Sequence, residues 1–425
     1  MQRLIVPLTA AEATDPDRFG PKAANLARLG RAGLPIPDGF SVHAEAYRAQ
    51  VAALGLTAIA HGVDAEDPGT ARRAALAMKL GLLDQPIVPP VQSPLLDAWR
   101  ALVETTSALT VVRSSALVED RFGSSFAGQF ESYLGLEGEA DFITAVRSCW
   151  AALWSTRALR YMATHDASPA DTAMAVLVQP LVSARVSGGG LSRTSDGDMV
   201  LNATWGLGSA IAQGEVVPDR IVLSREGALR ETLAGRSFHR LGCAHGAPAV
   251  RRPRSSEPCL NAAQATELGR LLRQVEEIMG VPVEIEWARD EAGFKLLQAR
   301  PLHVEPARVP DEIWLRHPGL NGHPAGVGWG SGRACVVNCE CELTRVAPGD
   351  ILVTRVAGPA LSAVLPRVAG LVAELGGSTS HLASLARERG IPMVLGVLDA
   401  TLRIPDGVQV AVDGVAGVVR WMPAT

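Results

Sequence analysis

One imidazole in the segment GGSTSHLASLARERGIPMVLG, residues 376–396, stands where a nucleophile could be carried. Gly376 and Gly377 allow a tight turn with close backbone approach. Thr379 and Ser380 are N-cap residue types, and LASLARER follows as a helical run with Leu382, Leu385 and Ala386 on one face. Gly390 ends the run, and Ile391–Pro392 leads into an extended segment. His381 is therefore expected in the first turn of a helix. A neutral His nitrogen is a nucleophile, and phosphohistidine is a dianion that free backbone N–H groups and the positive helix end stabilise. Thr379 is placed to orient the ring or contact the phosphate. Taken alone, a His at a helix start reads as a capping residue.

A second constellation is EIEWARDEAGFKLLQARP, residues 284–301, which reads as two antiparallel strands joined at Asp290–Gly293. Strand alternation puts Glu284 and Glu286 on one face, and on the partner strand Gln298 and Arg300 share a face. Two carboxylates and an amide oxygen suit Mg²⁺, a hard cation that takes oxygen ligands. Arg300 would then stabilise charge on a transferring phosphoryl group. A surface hairpin with cross-strand Glu–Arg pairs uses the same residue types. Arg113 ends the β-branched run LTVVRSS (109–115), where a guanidinium can fork onto phosphate oxygens. The GSSFAG turn after it, with Ser125 and Gly128, offers small residues and backbone N–H groups to a polyphosphate. An ordinary strand end with a surface Arg is the plainer reading of RSS. Lys22 opens the helical run KAANLARLGRAG; a Lys near a helix start is usually just solvated.

These residues need elements to hold them. The chain has 425 residues, enough for two or three domains. Hydrophobic residues make up 47% and charged residues 20%, a globular profile. A net charge of −4 and 4% aromatics argue against a nucleic-acid partner. No apolar run is long enough to span a membrane, and the opening MQRLIVPLTAAEATD does not read as a signal peptide, so the cytoplasm is the expected location. Cys335, Cys339 and Cys341 cluster as CVVNCEC, but with uneven spacing and no second CxxC pair they read as one strand cysteine and two loop thiols. Residues 12–60 are helix-rich, 61–95 are Ala-rich and Pro-punctuated, AVLVQPLV (175–182) reads as a strand, and 264–279 as an amphipathic helix. The proline-bearing stretch 303–320 has a semi-rigid linker composition.

GGSTSHLASLARERGIPMVLG resembles the phosphohistidine signature of the phosphoenolpyruvate synthase and pyruvate phosphate dikinase family, GGxTSHAAIxARExGIPAVxG. GDILVT (349–354) and VDGVAGVV (412–419) resemble flanking pieces of that family's swivelling domain. RSSALVEDRFGSSFAGQFESYL (113–134) is similar to RSSAxxEDxxxxSFAGQxxTxL, and EIEWARDEAGFKLLQARP to DIEWAxDxxGxLxxLQARP. FGPKAANLARLG is similar to GGKxxxLxxL, with Pro21 in place of the second glycine.

The resemblance covers about residues 15–304 and 320–420. It implies an α/β (α+β) protein with an ATP-grasp-like nucleotide-binding domain over 1–305, a linker over 306–320, and a small swivelling β/β/α phosphohistidine domain over 321–425. It implies His381 as phosphoryl carrier, Mg²⁺ on Glu286 and Gln298, and phosphate contacts from Lys22, Arg113 and Arg300. Glu284 belongs to the same nucleotide site, and Gln179, in MAVLVQPLV (174–182), is implied near the base. Two segments depart from the family: SGGGLSRTSDGD (187–198) replaces SGVxFTxxPxTG, and Ser209 stands where a Glu is usual.

The implied activity is transfer of phosphoryl from ATP through phospho-His381 to a small-molecule acceptor, with AMP and phosphate as products. No acceptor barrel or inserted acceptor domain is recognisable. Three readings stay open. The chain is a small phosphotransferase whose acceptor docks between carrier and ATP domain; it is a donor and carrier subunit with the acceptor site in trans; or it is a degenerate nucleotide-binding module.

Overall fold

Asp15 begins the first long helix, its carboxylate accepting the Asp17 N–H at 2.9 Å ahead of Pro16. Helix α1 (Pro16–Arg31) is interrupted at Gly20, where φ is +73°. A continuous helix would set the Pro21 ring against a carbonyl of the preceding turn. The break at Gly20 removes that conflict and makes Pro21 the first residue of the resumed helix, a position proline favours. The family's second glycine is thus replaced by a residue suited to this place. The computed structural model describes residues 3–63, 68–119, 130, 132–163, 167–235, 257–304, 314 and 316–422.

The contacts divide the chain into two units, residues 1–183 with 295–300, and residues 184–294 with 301–425. In the first, strands β1 (Ile5–Pro7), β2 (Phe40–Val42), β3 (Thr110–Ala116), β4 (Ser132–Leu136) and β5 (Met174–Pro180) form an antiparallel sheet of order β1-β2-β5-β3-β4. Leu26 and Ala27 of α1 pack with Phe19, Val6, Leu8 and Leu177 into one core. The other helices are α2 (Ala44–Ala53), α3 (Thr57–His61), α4 (Pro68–Asp84), α5 (Pro89–Thr106), α6 (Glu139–Ala152) and α7 (Thr156–Ala163). Three prolines of the 61–95 stretch start helices: Pro68 opens α4, and Pro89 and Pro90 open α5, where their missing N–H groups cost nothing, while Pro94 lies inside α5.

The second unit holds an antiparallel run of β10 (Val283–Asp290), β6 (Val186–Leu191), β7 (Met199–Trp205), β8 (Asp219–Leu223) and β9 (Leu229–Leu233). Helix α8 (Ser209–Ala212) begins at Ser209, and α9 (Ala262–Met279) opens on a reciprocal cap between Asn261 and Gln264. β10 ends in a turn at which Asp290 Oδ1 accepts the N–H groups of Ala292 and Gly293, and β11 (Gly293–Pro301) follows. Its residues Lys295–Arg300 belong to the first unit.

An eight-stranded sheet completes the second unit, in the order β12-β19-β18-β14-β15-β16-β17-β13. Its strands are β12 (Gly319–Asn321), β13 (His323–Pro324), β14 (Trp329–Val337), β15 (Ile351–Thr354), β16 (Gly370–Ala373), β17 (Met393–Leu395), β18 (Gln409–Asp413) and β19 (Val418–Trp421). β14 to β17 run parallel, which is why β15, β16 and β17 read as short unbroken apolar runs. Helices α10 (His381–Glu388) and α11 (Ala400–Arg403) flank the strands in sequence. Of the expected linker, most residues lie outside those described. No helix among the described residues is long and apolar enough to cross a membrane.

Candidate functional site

Three expected site residues gather around β3 in the first unit. Arg113 Nη1 donates to the Leu297 carbonyl at 2.5 Å and Nη2 to Gln298 Oε1 at 2.9 Å, so the guanidinium bridges β3 and β11. Lys22 Nζ donates to the Ser114 carbonyl at 2.8 Å and lies 3.4 Å from Glu119 Oε2. The kink of α1 presses on the same strand: a Cβ at Gly20 would lie 2.3 Å from the Ser115 carbonyl oxygen. Ser115 Oγ accepts the Ala23 N–H at 3.2 Å, satisfying a donor that the break leaves free. Lys22, Arg113 and Gln298 thus share one neighbourhood, and Arg300 lies two residues beyond Gln298, buried.

Glu119 was not singled out from the sequence, although it lies within the quoted RSSALVED motif. It is buried, and burial pushes its carboxyl above the ordinary value while the Lys22 charge pulls it back. Gln179 is also buried, on β5, with Nε2 donating to the Pro37 carbonyl at 3.1 Å. Ser125 and Gly128 lie outside the described residues.

In the second unit, Ser380 caps α10, its hydroxyl accepting the Ala383 N–H at 3.3 Å, and His381 is the first residue of the helix. This is the local structure that the Thr-Ser-His spacing implied. His381 is half-buried, while Thr379 and Ser380 are buried. Gly376, at φ +102°, and Gly377 make the turn that delivers them, and a Cβ at Gly377 would lie 2.5 Å from the Pro218 ring.

Thr379 meets the β6–β7 sheet. Its hydroxyl is 3.3 Å from Asn202 Oδ1, and Asn202 Nδ2 donates to the Asp219 carbonyl at 3.1 Å, which fixes the amide with its oxygen toward Thr379. Opposite Asn202 in register is Gly189, where a Cβ would lie 2.5 Å from Thr379 Cβ. The glycine-rich departure from the family pattern therefore leaves room for a side chain of the histidine turn.

Glu284 is 4% exposed, and its Oε2 receives Arg387 Nη2 at 2.9 Å and Ser384 Oγ at 2.9 Å. Arg387 also donates to the Ser378 carbonyl at 2.6 Å and the Ala325 carbonyl at 3.2 Å. A residue expected to face nucleotide is thus engaged with the histidine-bearing helix, because both charges are buried and each compensates the other. Arg387, Ser384 and Asn202 went unremarked in the sequence; the first two lie inside the quoted helix, and Asn202 carries no local signal. Glu286, the next residue on that face of β10, is half-buried. It belongs to the second unit and Gln298 to the first.

A cavity of about 100 Å³ adjoins Arg387, with Arg193 and Arg220 in its wall. Those two pair with Glu276 and Glu231, so their charges are already compensated. Cys335 is buried in β14, and Cys339 and Cys341 stand at the start of a short 3₁₀ turn, with sulfurs 2.7 Å apart. Among the described residues no group of three or more His, Cys, Asp or Glu is placed to hold a metal ion.

Residues 16–314 match the family model described as pyruvate phosphate dikinase, AMP/ATP-binding domain, and residues 346–417 match the PEP-utilising enzyme, mobile domain. The chain belongs to the phosphoenolpyruvate synthase and pyruvate phosphate dikinase family, with an ATP-grasp-like nucleotide domain in a mixed α/β body. It is similar to the phosphoenolpyruvate synthase of Aeropyrum pernix, at 34% identity over 94% of this chain and 56% of that one. It is also similar to the probable phosphoenolpyruvate synthase of Archaeoglobus fulgidus, at 31% identity over 97% and 57%, and to the Escherichia coli phosphoenolpyruvate synthase, at 29% over 95% and 55%. The chain therefore spans a little over half the length of these relatives.

Proposed function

We propose that the chain takes phosphoryl from ATP onto His381 and passes it to a small-molecule acceptor. The observation that carries this reading is the place of His381, first in a helix whose N-cap is the preceding Ser380 and whose turn is built by Gly376 and Gly377. Backbone N–H groups and the helix dipole there favour the dianion that phosphorylation creates. Lys22, Arg113 and Arg300 hold the phosphates of ATP, Gln179 lies near the base, and Ser125 and Gly128 serve the same phosphates. Thr379 steers the ring.

Mg²⁺ would be held by Glu286 and Gln298. The donor set suits it, since both offer hard oxygens, and Gln298 Oε1, which accepts one hydrogen bond from Arg113, keeps a second lone pair. When bound, the ion would offset phosphate charge. An imidazole nitrogen of His381 bonds to the β-phosphorus as the bond to the AMP oxygen breaks, and water takes the γ-phosphoryl as inorganic phosphate. The charged form is then carried by residues 321–425, with 306–320 as the hinge. Splitting the transfer through a covalent intermediate lets separated sites share one phosphoryl group.

A second reading is that the acceptor site is supplied in trans. The test is phosphorus NMR of Mg-ATP turnover by the chain with candidate acceptors. AMP, phosphate and a phosphorylated acceptor support the first reading. A charged chain that no small molecule discharges, but a partner protein does, supports the second, and ADP as the sole nucleotide product contradicts both.

A further inference from the structure

The departure at residues 187–198 has a physical role. Gly188, Gly189 and Gly190 lie on β6, and a Cβ at each would meet something different. At Gly188 it would lie 1.9 Å from the Asn202 carbonyl oxygen and 2.9 Å from Trp287, both parts of the same sheet and its packing. At Gly190 it would crowd Ile285, Leu201 and Leu272, on the face toward α9. At Gly189 the three nearest atoms all belong to Thr379, at 2.5, 2.6 and 2.8 Å. The first obstacle to a side chain at 189 is therefore the histidine turn, not the β6–β7 sheet.

Three further contacts act on the same short stretch of chain. Asn202, opposite Gly189, presents its oxygen to the Thr379 hydroxyl. The Gly376 N–H donates to the Val216 carbonyl at 3.0 Å. Behind the turn, the buried Glu284–Arg387 pair pins α10, with Ser384 donating into the same carboxylate. The seat and the pin hold the two ends of the segment that begins with Thr379 and passes through His381.

We propose that Gly189 and Asn202 are positioning residues for His381: they form a seat for Thr379 on the β6–β7 face that, with the Glu284–Arg387 pin, sets the pose in which the histidine helix is held against that sheet. The functional part rests on the reading of His381 as the carrier. Side-chain volume at residue 189 then decides how well the carrier docks, without bearing on whether the sheet folds.

Amide hydrogen exchange of the whole chain without nucleotide tests this. In Gly189→Val, amides of residues 382–388 should exchange at least tenfold faster than in the unaltered chain, while those of β6, β7 and β8 keep their protection. Gly188→Val should instead expose the sheet. Gly189→Ala should loosen the helix in part, and adding Thr379→Gly to it should restore protection. Unchanged exchange over 382–388 in Gly189→Val would overturn the proposal, as would equal loss of protection in β6 and β7. No nucleotide is present, so either result leaves the phosphohistidine reading standing. Labelling of Gly189→Val from Mg-ATP should in turn slow at least tenfold with nucleotide affinity unchanged. If the unaltered chain labels and this variant labels at the same rate, the seat does not position the ring.

Discussion

Glu284 Oε2 and Arg387 Nη2 lie 2.9 Å apart with their side chains 5% and 7% exposed, joining the strand β10 to the helix that His381 begins. Ser384 Oγ lies 3.1 and 2.9 Å from the two carboxylate oxygens, so its one O–H can donate to this carboxylate as well. A charge pair this deeply buried holds a specific arrangement more than it adds stability, since desolvation offsets most of its attraction.

Removal of either partner should therefore cost more than removal of both. Arg387→Met or Glu284→Leu leaves one uncompensated buried charge and should destabilise the second unit by about 3–5 kcal/mol. The double change Glu284→Leu with Arg387→Met should cost much less. Urea unfolding of the three variants, compared as a double-mutant cycle, measures this. Additive costs would mean that the two charges do not interact.

Glu119 gives the first unit a pH dependence. Burial raises its pKa in the folded chain, so the folded state binds a proton more tightly than the unfolded state. Its contribution to stability is full below the ordinary carboxylate pKa and is lost as pH rises through the raised folded value. Glu119→Gln should flatten that part of the stability–pH curve of the first unit in denaturant titrations between acidic and neutral pH. An unchanged slope would show that Glu119 is not its source.

Arg113 holds Gln298 and the Leu297 carbonyl with two separate nitrogens. Lysine can place one charge there but cannot reproduce the fork. Arg113→Lys should fold normally and lower the rate of His381 labelling from Mg-ATP by about 10²-fold. Arg300→Ala should lose labelling at least as severely. Near-normal labelling in either variant would remove that residue from the phosphate site.

Local chemistry made part of this structure legible. The Ser380 cap, the glycine turn before it and the Asp290–Gly293 turn all follow from residues within a few positions of one another, whereas Arg113, expected at a strand end, lies in the middle of β3, which stays paired with β5 as far as Ala116. The contacts that tie the histidine helix to the sheet do not. Thr379 and Asn202 are 177 residues apart in the chain, and Arg387 and Glu284 are 103 apart. No periodicity or capping rule links such positions. Gly189 carries no local sign of its contact with Thr379. The prolines of α4 and α5 read as punctuation because proline ends helices and starts them equally well.

The most direct measurement is intact-mass and peptide mass spectrometry of the chain after brief incubation with Mg-ATP, handled at alkaline pH. One phosphoryl group on His381, base-stable and acid-labile, is the expected result, with none on His381→Ala. Complete absence of phosphoryl from His381 in the unaltered chain, under conditions where ATP is bound, would contradict the assignment of that imidazole as the carrier.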